Sequence, residues 1–240
     1  MEKAFDVSMI ASFVPTLLGY LPVTLYILAV SLLFGFLLGL LLALPRIYRI
    51  PVLNPLAKLY ISFFRGTPIM VQLFIVFYGI PALTALAGID TSKMDPLYAA
   101  IATYALSSAA RAAEIIRGGV NSVDGGQTEA ALSIGLNRGQ TFRRIILPQA
   151  LLQAFPNIGN MVIGFLKDTS LAFSIGVMDM SGRGQTLITS SNHSLEVYIS
   201  LSVLYYAAAL LFECVFRWAE KRIKKDETRL VTVFDMSAHG

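Results

Sequence analysis

The chain has 240 residues, 55% of them hydrophobic and only 14% charged, with a mean hydropathy of +0.66. A soluble domain carries about 25% charged residues, so this composition excludes an ordinary soluble protein, and it excludes disorder, which needs low hydrophobicity and high net charge. A single cysteine, Cys214, and two histidines, His193 and His239, exclude a disulfide framework and leave little for a metal site; neither a metal nor a cofactor is expected.

The elements follow from where charge is missing. No residue between Asp6 and Arg46 is charged. That stretch is too long for one membrane helix of about 20 apolar residues, and Pro15 and Pro22 divide it. A short interfacial segment is expected first, then a helix over about 20–44. Further spans are expected over about 56–83, 96–116 (after Asp95-Pro96), 155–177 and 195–216. The fold class is therefore all-α, a polytopic membrane protein with about five transmembrane helices in one domain over 1–230; residues 231–240 carry no assignable role. Glu2 and Asp6, ahead of an overlong apolar run, argue against a cleaved signal peptide. In the first span Ser31, Gly35, Gly39 and Ala43 recur every four residues and mark a face for close helix packing, with no indication of its partner. Cys214 reads as a packing residue.

Basic residues orient membrane proteins. Arg46, Arg49, Lys58 and Arg65, then Arg117, Arg138, Arg143 and Arg144, then Arg217, Lys221, Arg222, Lys224, Lys225 and Arg229 make fourteen on one side. Lys3, Lys93 and Arg183 make three on the other. This places the N-terminus outside and the C-terminus in the cytoplasm, and it explains the net charge of +4 without nucleic acid. His193 then falls in an outer loop, where contact with a binding protein is one reading and no special role the other.

The cytoplasmic segment 121–147 is far longer than a connection needs, so it reads as a docking element. Glu129 to Ile134 favours a short helix with its acid near the positive N-terminal end, Gly135 stops it, and Asn137 with Gln140 forms a capping box for a second helix. Glu129-Ala130-Ala131, Gly135 and Ile145-Ile146-Leu147-Pro148 together resemble the signature of membrane subunits of bacterial ATP-binding-cassette importers. Phe64-Arg65-Gly66-Thr67-Pro68 with Gln72-Leu73, Ala113-Glu114 with Arg117-Gly118-Gly119, and Lys167-Asp168-Thr169-Ser170-Leu171 extend the resemblance over most of the chain, to the polar amino acid permease branch and within it to cystine-transporter permeases of Gram-positive bacilli. The resemblance implies a type I importer. A second permease subunit, identical or related, would pair with this one in the lipid bilayer. Two cytoplasmic ATP-binding subunits would receive the loop through Glu129, Ala130, Ala131, Gly135 and Arg143, and an extracellular binding protein would deliver the amino acid. No Gly-x-x-x-x-Gly-Lys-Ser/Thr phosphate loop occurs, so ATP hydrolysis is expected on partners and this chain is not expected to be an enzyme.

Lys167 and Asp168 fall near the middle of the fourth span. A charge there costs about 2.5–3.5 kcal/mol to insert, so it persists where it meets a partner or a polar cavity. Neighbouring helical residues point about 100° apart, and Asp168, Thr169 and Ser170 compete for backbone hydrogen bonds, so a local distortion is expected. One reading is a substrate site, with Lys167 toward the carboxylate and Asp168 toward the ammonium of an amino acid, and with Thr169, Ser170, Gln72 and Asn160 as further polar groups. The other is an intramembrane ion pair. Arg111, Glu114 and Arg117, spaced i, i+3, i+6, read as a mutually satisfied series. The competing function is an ion-coupled secondary amino acid transporter; the few spans and the absence of an internal repeat speak against it.

Overall fold

The computed structural model describes residues 5–91 and 93–238, with side chains up to residue 223; Glu2, Lys3, His239 and the side chains of Lys224, Lys225 and Arg229 lie outside the described residues, as does any reading of 231–240. Every described element is helical.

Helix α1 (Val7–Leu18) is the expected short first segment. The Asp6 carboxylate caps it, accepting from the Ser8 hydroxyl and amide, and these bonds hold the Asp6 carboxyl below the usual carboxylate range. Helix α2 (Leu21–Ile47) opens on Pro22 in its first turn, where the missing N–H costs nothing.

The expected single span over 56–83 is two helices, α3 (Leu53–Gly66) and α4 (Ile69–Leu86). Pro68 disfavours helical backbone at the residue before it, and Thr67 is extended at φ −111°, ψ 143°. The buried Gln72 side chain closes the break: its Nε2 donates to the Phe64 carbonyl, the Thr67 carbonyl and the Thr67 hydroxyl at 2.8–3.0 Å.

Helix α5 (Pro96–Asn121) begins at the expected Asp95-Pro96 and runs through the middle of the bundle, against α2, α3, α4 and α8 (Leu147–Asp168). It is the partner of the small-residue face. A Cβ on Gly35 would lie 1.8 Å from the Ser108 hydroxyl, and one on Gly39 would lie 2.7 Å from the Ala112 Cβ and 3.0 Å from the Ala109 carbonyl. Only glycine permits that approach. Most of the buried positions of α5 are Ala or Ser, among them Ala99, Ala100, Ser107, Ser108, Ala109 and Ala112, where other helices pack against it. By length and composition α2, α4 and Ser194–Ile223 can cross a membrane, and a fourth span exists if a bent pair counts as one. The expectation of about five is thus approximate.

That bent pair begins in the loop. Helix α6 (Gly125–Ser133) ends at a turn, after which α7 (Arg138–Thr141), a π-helical turn (Phe142–Ile146) and α8 follow one another without interruption. Pro148 cannot donate to the preceding turn, which is where the wider turn occurs. The fourth span therefore starts well before 155. It ends at Asp168, where a 3₁₀ segment (Thr169–Ile175) takes over. The Thr169 and Ser170 hydroxyls bond back to the Leu166 and Lys167 carbonyls at 2.7 and 2.6 Å, the side-chain competition that tightens the turn.

Gly176 then reverses the chain at φ 93°, and α9 (Met180–Ser191) leaves at 51° to the helical stretch Arg138–Ile175. The sequence reading had no helix here; Asp179 caps it with a 2.9 Å bond from the Gly182 amide. Helix α10 (Ser194–Ala238) extends well beyond the expected 195–216. His193 is not a loop residue free to meet a partner: it is 5% exposed, its Nδ1 lies 2.9 Å from Glu196, and Glu196 also accepts the Asp6 amide, clasping α1 to α10. Cys214 is exposed, not packed.

Candidate functional site

Hydrogen bonds close both ends of the first helix of the loop and the start of the second. Asp124 caps α6, with its carboxylate accepting from the Gly126 amide at 2.8 Å; Glu129 lies beyond the first turn, so Asp124 is the acid that meets the helix N-terminus. At the other end Gly135 has φ 88°, its amide donates to the Leu132 carbonyl, and the Leu136 amide donates to the Ala131 carbonyl. This is the paired bonding that closes a helix through a left-handed glycine. The Asn137–Gln140 capping box is present in both directions, at 2.9 and 3.0 Å. Glu129, Ala130, Gly135 and Arg143 are exposed, beside exposed Leu132 and Ile134. Ala131 is 2% exposed, so it packs inward and braces the knob rather than forming its surface.

From Arg138 the helix runs continuously to Asp168, a rod of roughly 45 Å at about 1.5 Å per residue. At its far end the two charged residues part. Lys167 is exposed and forms no ion pair among the described residues. The Asp168 carboxylate lies 3.4 Å from the Arg111 guanidinium, and the Tyr104 hydroxyl donates to the Asp168 carbonyl at 2.9 Å. Arg111 also lies 4.5 Å over the Phe165 ring. The expected series on α5 is therefore split. Glu114 bonds Arg117 at 2.7 Å, as its spacing implies, and takes Arg46 at 2.7 Å from α2, while Arg111 turns to Asp168.

A cavity of about 700 Å³ lies between α5, α8 and the α3–α4 break, with Arg111, Glu114, Thr67, Gln153 and Asn157 in its wall. Arg111, Gln153 and Asn157 escaped the sequence reading as site residues. Gln149, Gln153 and Asn157, a polar row four residues apart along α8, were the available signal. Of the expected polar groups, Gln72 spends its amide nitrogen on the helix break, Thr169 is buried with its hydroxyl bonded to backbone, Ser170 bonds Lys167, and Asn160 lies in a separate groove with Glu213 and Phe216 of α10.

Residues 35–225 match the family described as binding-protein-dependent transport system inner membrane component. The chain belongs to that family. It is 80% identical, over 100% of both chains, to the L-cystine transport system permease protein TcyL of Bacillus subtilis. It is 36% identical to the glutamine transport system permease protein GlnP of Escherichia coli, over 92% of this chain and 98% of that one. Among solved structures it is similar to one described as an amino acid ABC transporter with histidines, at TM-score 0.82 and 30% identity, covering 92% of this chain and 100% of the other. Members of the family are non-catalytic permease subunits of the membrane, working with separate ATP-binding subunits and a binding protein, which favours the ATP-driven reading over the ion-coupled one.

Proposed function

We propose that this chain is the translocation subunit of an importer for L-cystine, oriented with its N-terminus outside and its C-terminus in the cytoplasm, and paired with a second permease subunit. The observation that carries the substrate is the 80% identity to an L-cystine permease along the whole chain; the asymmetry of basic residues supports the orientation. L-Cystine carries two carboxylates and two ammonium groups, so a polar path for it needs both signs of charge. Arg111 and Glu114 in the cavity wall, with Asp168 paired to Arg111 and Lys167 one residue before, supply both. The exposed knob of Glu129, Ala130, Gly135 and Arg143 docks on the ATPase. The rod from Arg138 to Asp168 carries its displacement to the 3₁₀ segment, where the helix is easiest to deform. Liposomes holding the whole transporter test the reading. ATP-dependent uptake of radiolabelled L-cystine should exceed that of glutamine and arginine when the cognate binding protein is supplied; uptake of glutamine alone would refute it.

A further inference from the structure

A membrane helix that meets lipid exposes apolar side chains, as α4 does with Val71, Ile75 and Leu83. Helix α8 does the reverse. From Gln153 to Lys167 its exposed positions are Gln153, Asn157, Asn160 and Lys167, all polar, while Met161, Val162, Phe165 and Leu166 are buried. At about 100° and about 1.5 Å per residue, the four lie within an arc of about 80° and extend over about 21 Å of the helix. Gln153 and Asn157 stand in the wall of the cavity that also holds Arg111 and Glu114 of α5. Asn160 stands at the edge of the line toward α10, in the groove with Glu213. Lys167 ends the line beside Asp168, which pairs with Arg111.

The polar groups of this line are unspent. Elsewhere in the bundle they are taken: Glu114 is bonded by Arg46 and Arg117, Arg111 pairs with Asp168, and the amides of Gln72 and Gln149 donate to backbone carbonyls. Among the described residues the side chains of Gln153, Asn157 and Asn160 form no hydrogen bond, and Lys167 forms no ion pair. Unspent polar groups on a membrane span face a polar partner or water, not hydrocarbon. We infer that this line of α8 is a wall of the aqueous path through the transporter, with Gln153, Asn157 and Asn160 as hydrogen-bonding contacts for the passing amino acid. The inference rests on the reading of this chain as an amino acid translocation subunit. A side-chain amide offers both donors and an acceptor, so each can take the carboxylate or the ammonium of a zwitterion. It does so without a charge of its own, and a path must bind weakly enough at each point to release what it carries.

Thiol labelling of the whole transporter in nanodiscs tests the path without a substrate. With Cys214 replaced by serine, the single variants Gln153→Cys, Asn157→Cys and Asn160→Cys should each react with a charged maleimide at least about tenfold faster than Leu211→Cys, whose position on α10 is 67% exposed. A thiol at an aqueous wall keeps its thiolate, whereas apolar surroundings that raise its pKa by one unit remove about nine-tenths of it. A rate at any of the three no faster than at Leu211→Cys would overturn the inference, because the line would then lie dry against lipid or the second permease subunit. Uptake tests the contacts. In the double variant Gln153→Leu, Asn157→Leu, uptake per assembled complex should fall roughly twenty-fivefold, about fivefold for each lost neutral hydrogen bond. The exchange Gln153→Asn, Asn157→Gln keeps both amides and should retain most of the uptake. Poor assembly of the leucine variant with parental uptake per assembled complex would make the amides structural and overturn their role as contacts. A parent that takes up glutamine and not L-cystine would correct the substrate, while fast labelling would still uphold the path; slow labelling in a parent that takes up L-cystine overturns the path alone.

Discussion

At the end of the rod two adjacent charged residues have different surroundings, Asp168 beside Arg111 and Lys167 exposed. Lys167 is exposed and forms no ion pair among the described residues, so Lys167→Met should leave assembly intact. If the lysine contacts a substrate carboxylate, the lost charge-assisted bond is worth about 1.5–3 kcal/mol, and uptake per assembled complex should fall at least about tenfold. Arg111 behaves oppositely. Arg111→Met strands the Asp168 carboxylate, but the pair is partly exposed at 40% and 27%. The cost should therefore be about 1–2 kcal/mol, below that of a fully buried pair. Thermal unfolding of the detergent-solubilised complex should shift down, and adding Asp168→Asn should restore it because no stranded charge remains. A restored melting temperature with uptake still lost assigns the pair to the transport path; restored uptake makes it purely structural.

Helices α2 and α5 meet through atoms that leave no room for a methyl group. Gly39→Ala forces its Cβ to within 2.7 Å of Ala112 and 3.0 Å of the Ala109 carbonyl, and overpacking of this kind costs about 1–3 kcal/mol. Ala112→Gly in the same chain should recover part of the lost melting temperature, and only part, since the Ala109 carbonyl stays in place. In the loop, Gly135→Val puts a β-branched residue at φ 88°, a strain of about 1–3 kcal/mol. The element is exposed and lies outside the bundle, so the strain should distort the knob and spare membrane insertion. ATP hydrolysis should persist while uptake falls; uptake at the parental rate with normal assembly would show that α6 does not couple the two.

Orientation belongs to the whole molecule. With Cys214 first replaced by serine, cysteines at Asn137 and at Lys93 should react with a membrane-impermeant maleimide from opposite sides, Lys93→Cys in intact cells and Asn137→Cys only after the membrane is opened. Labelling of Asn137→Cys in intact cells would invert the topology. The bundle itself predicts which helix tolerates polar change least: α5 touches α2, α3, α4 and α8, so an added charge at its fully buried Ala109 or Ala110 should abolish assembly, while one at exposed Val215 of α10 should be tolerated when a partner or lipid headgroup can reach it.

Features governed by neighbours within four residues were legible in the sequence. The Asp95-Pro96 start, the Asn137–Gln140 box, the left-handed Gly135 and the distortion after Asp168 all depend on backbone groups that the same short segment must satisfy. The family motif was legible because its residues keep fixed spacings within the single stretch from Glu129 to Pro148. The α3–α4 break was missed: one span over 56–83 was expected although Pro68 was available as a local signal, and the Gln72 amide that stabilises the break was read as a pocket group. What the sequence could not assign were choices among distant partners. The small-residue face gave no name for α5, spacing favoured Glu114 for Arg111 where space gave it Asp168, and nothing local tied His193 and Asp6 to one glutamate. A charge in an apolar bundle takes the nearest opposite charge in space, and only the packing of helices decides which one that is.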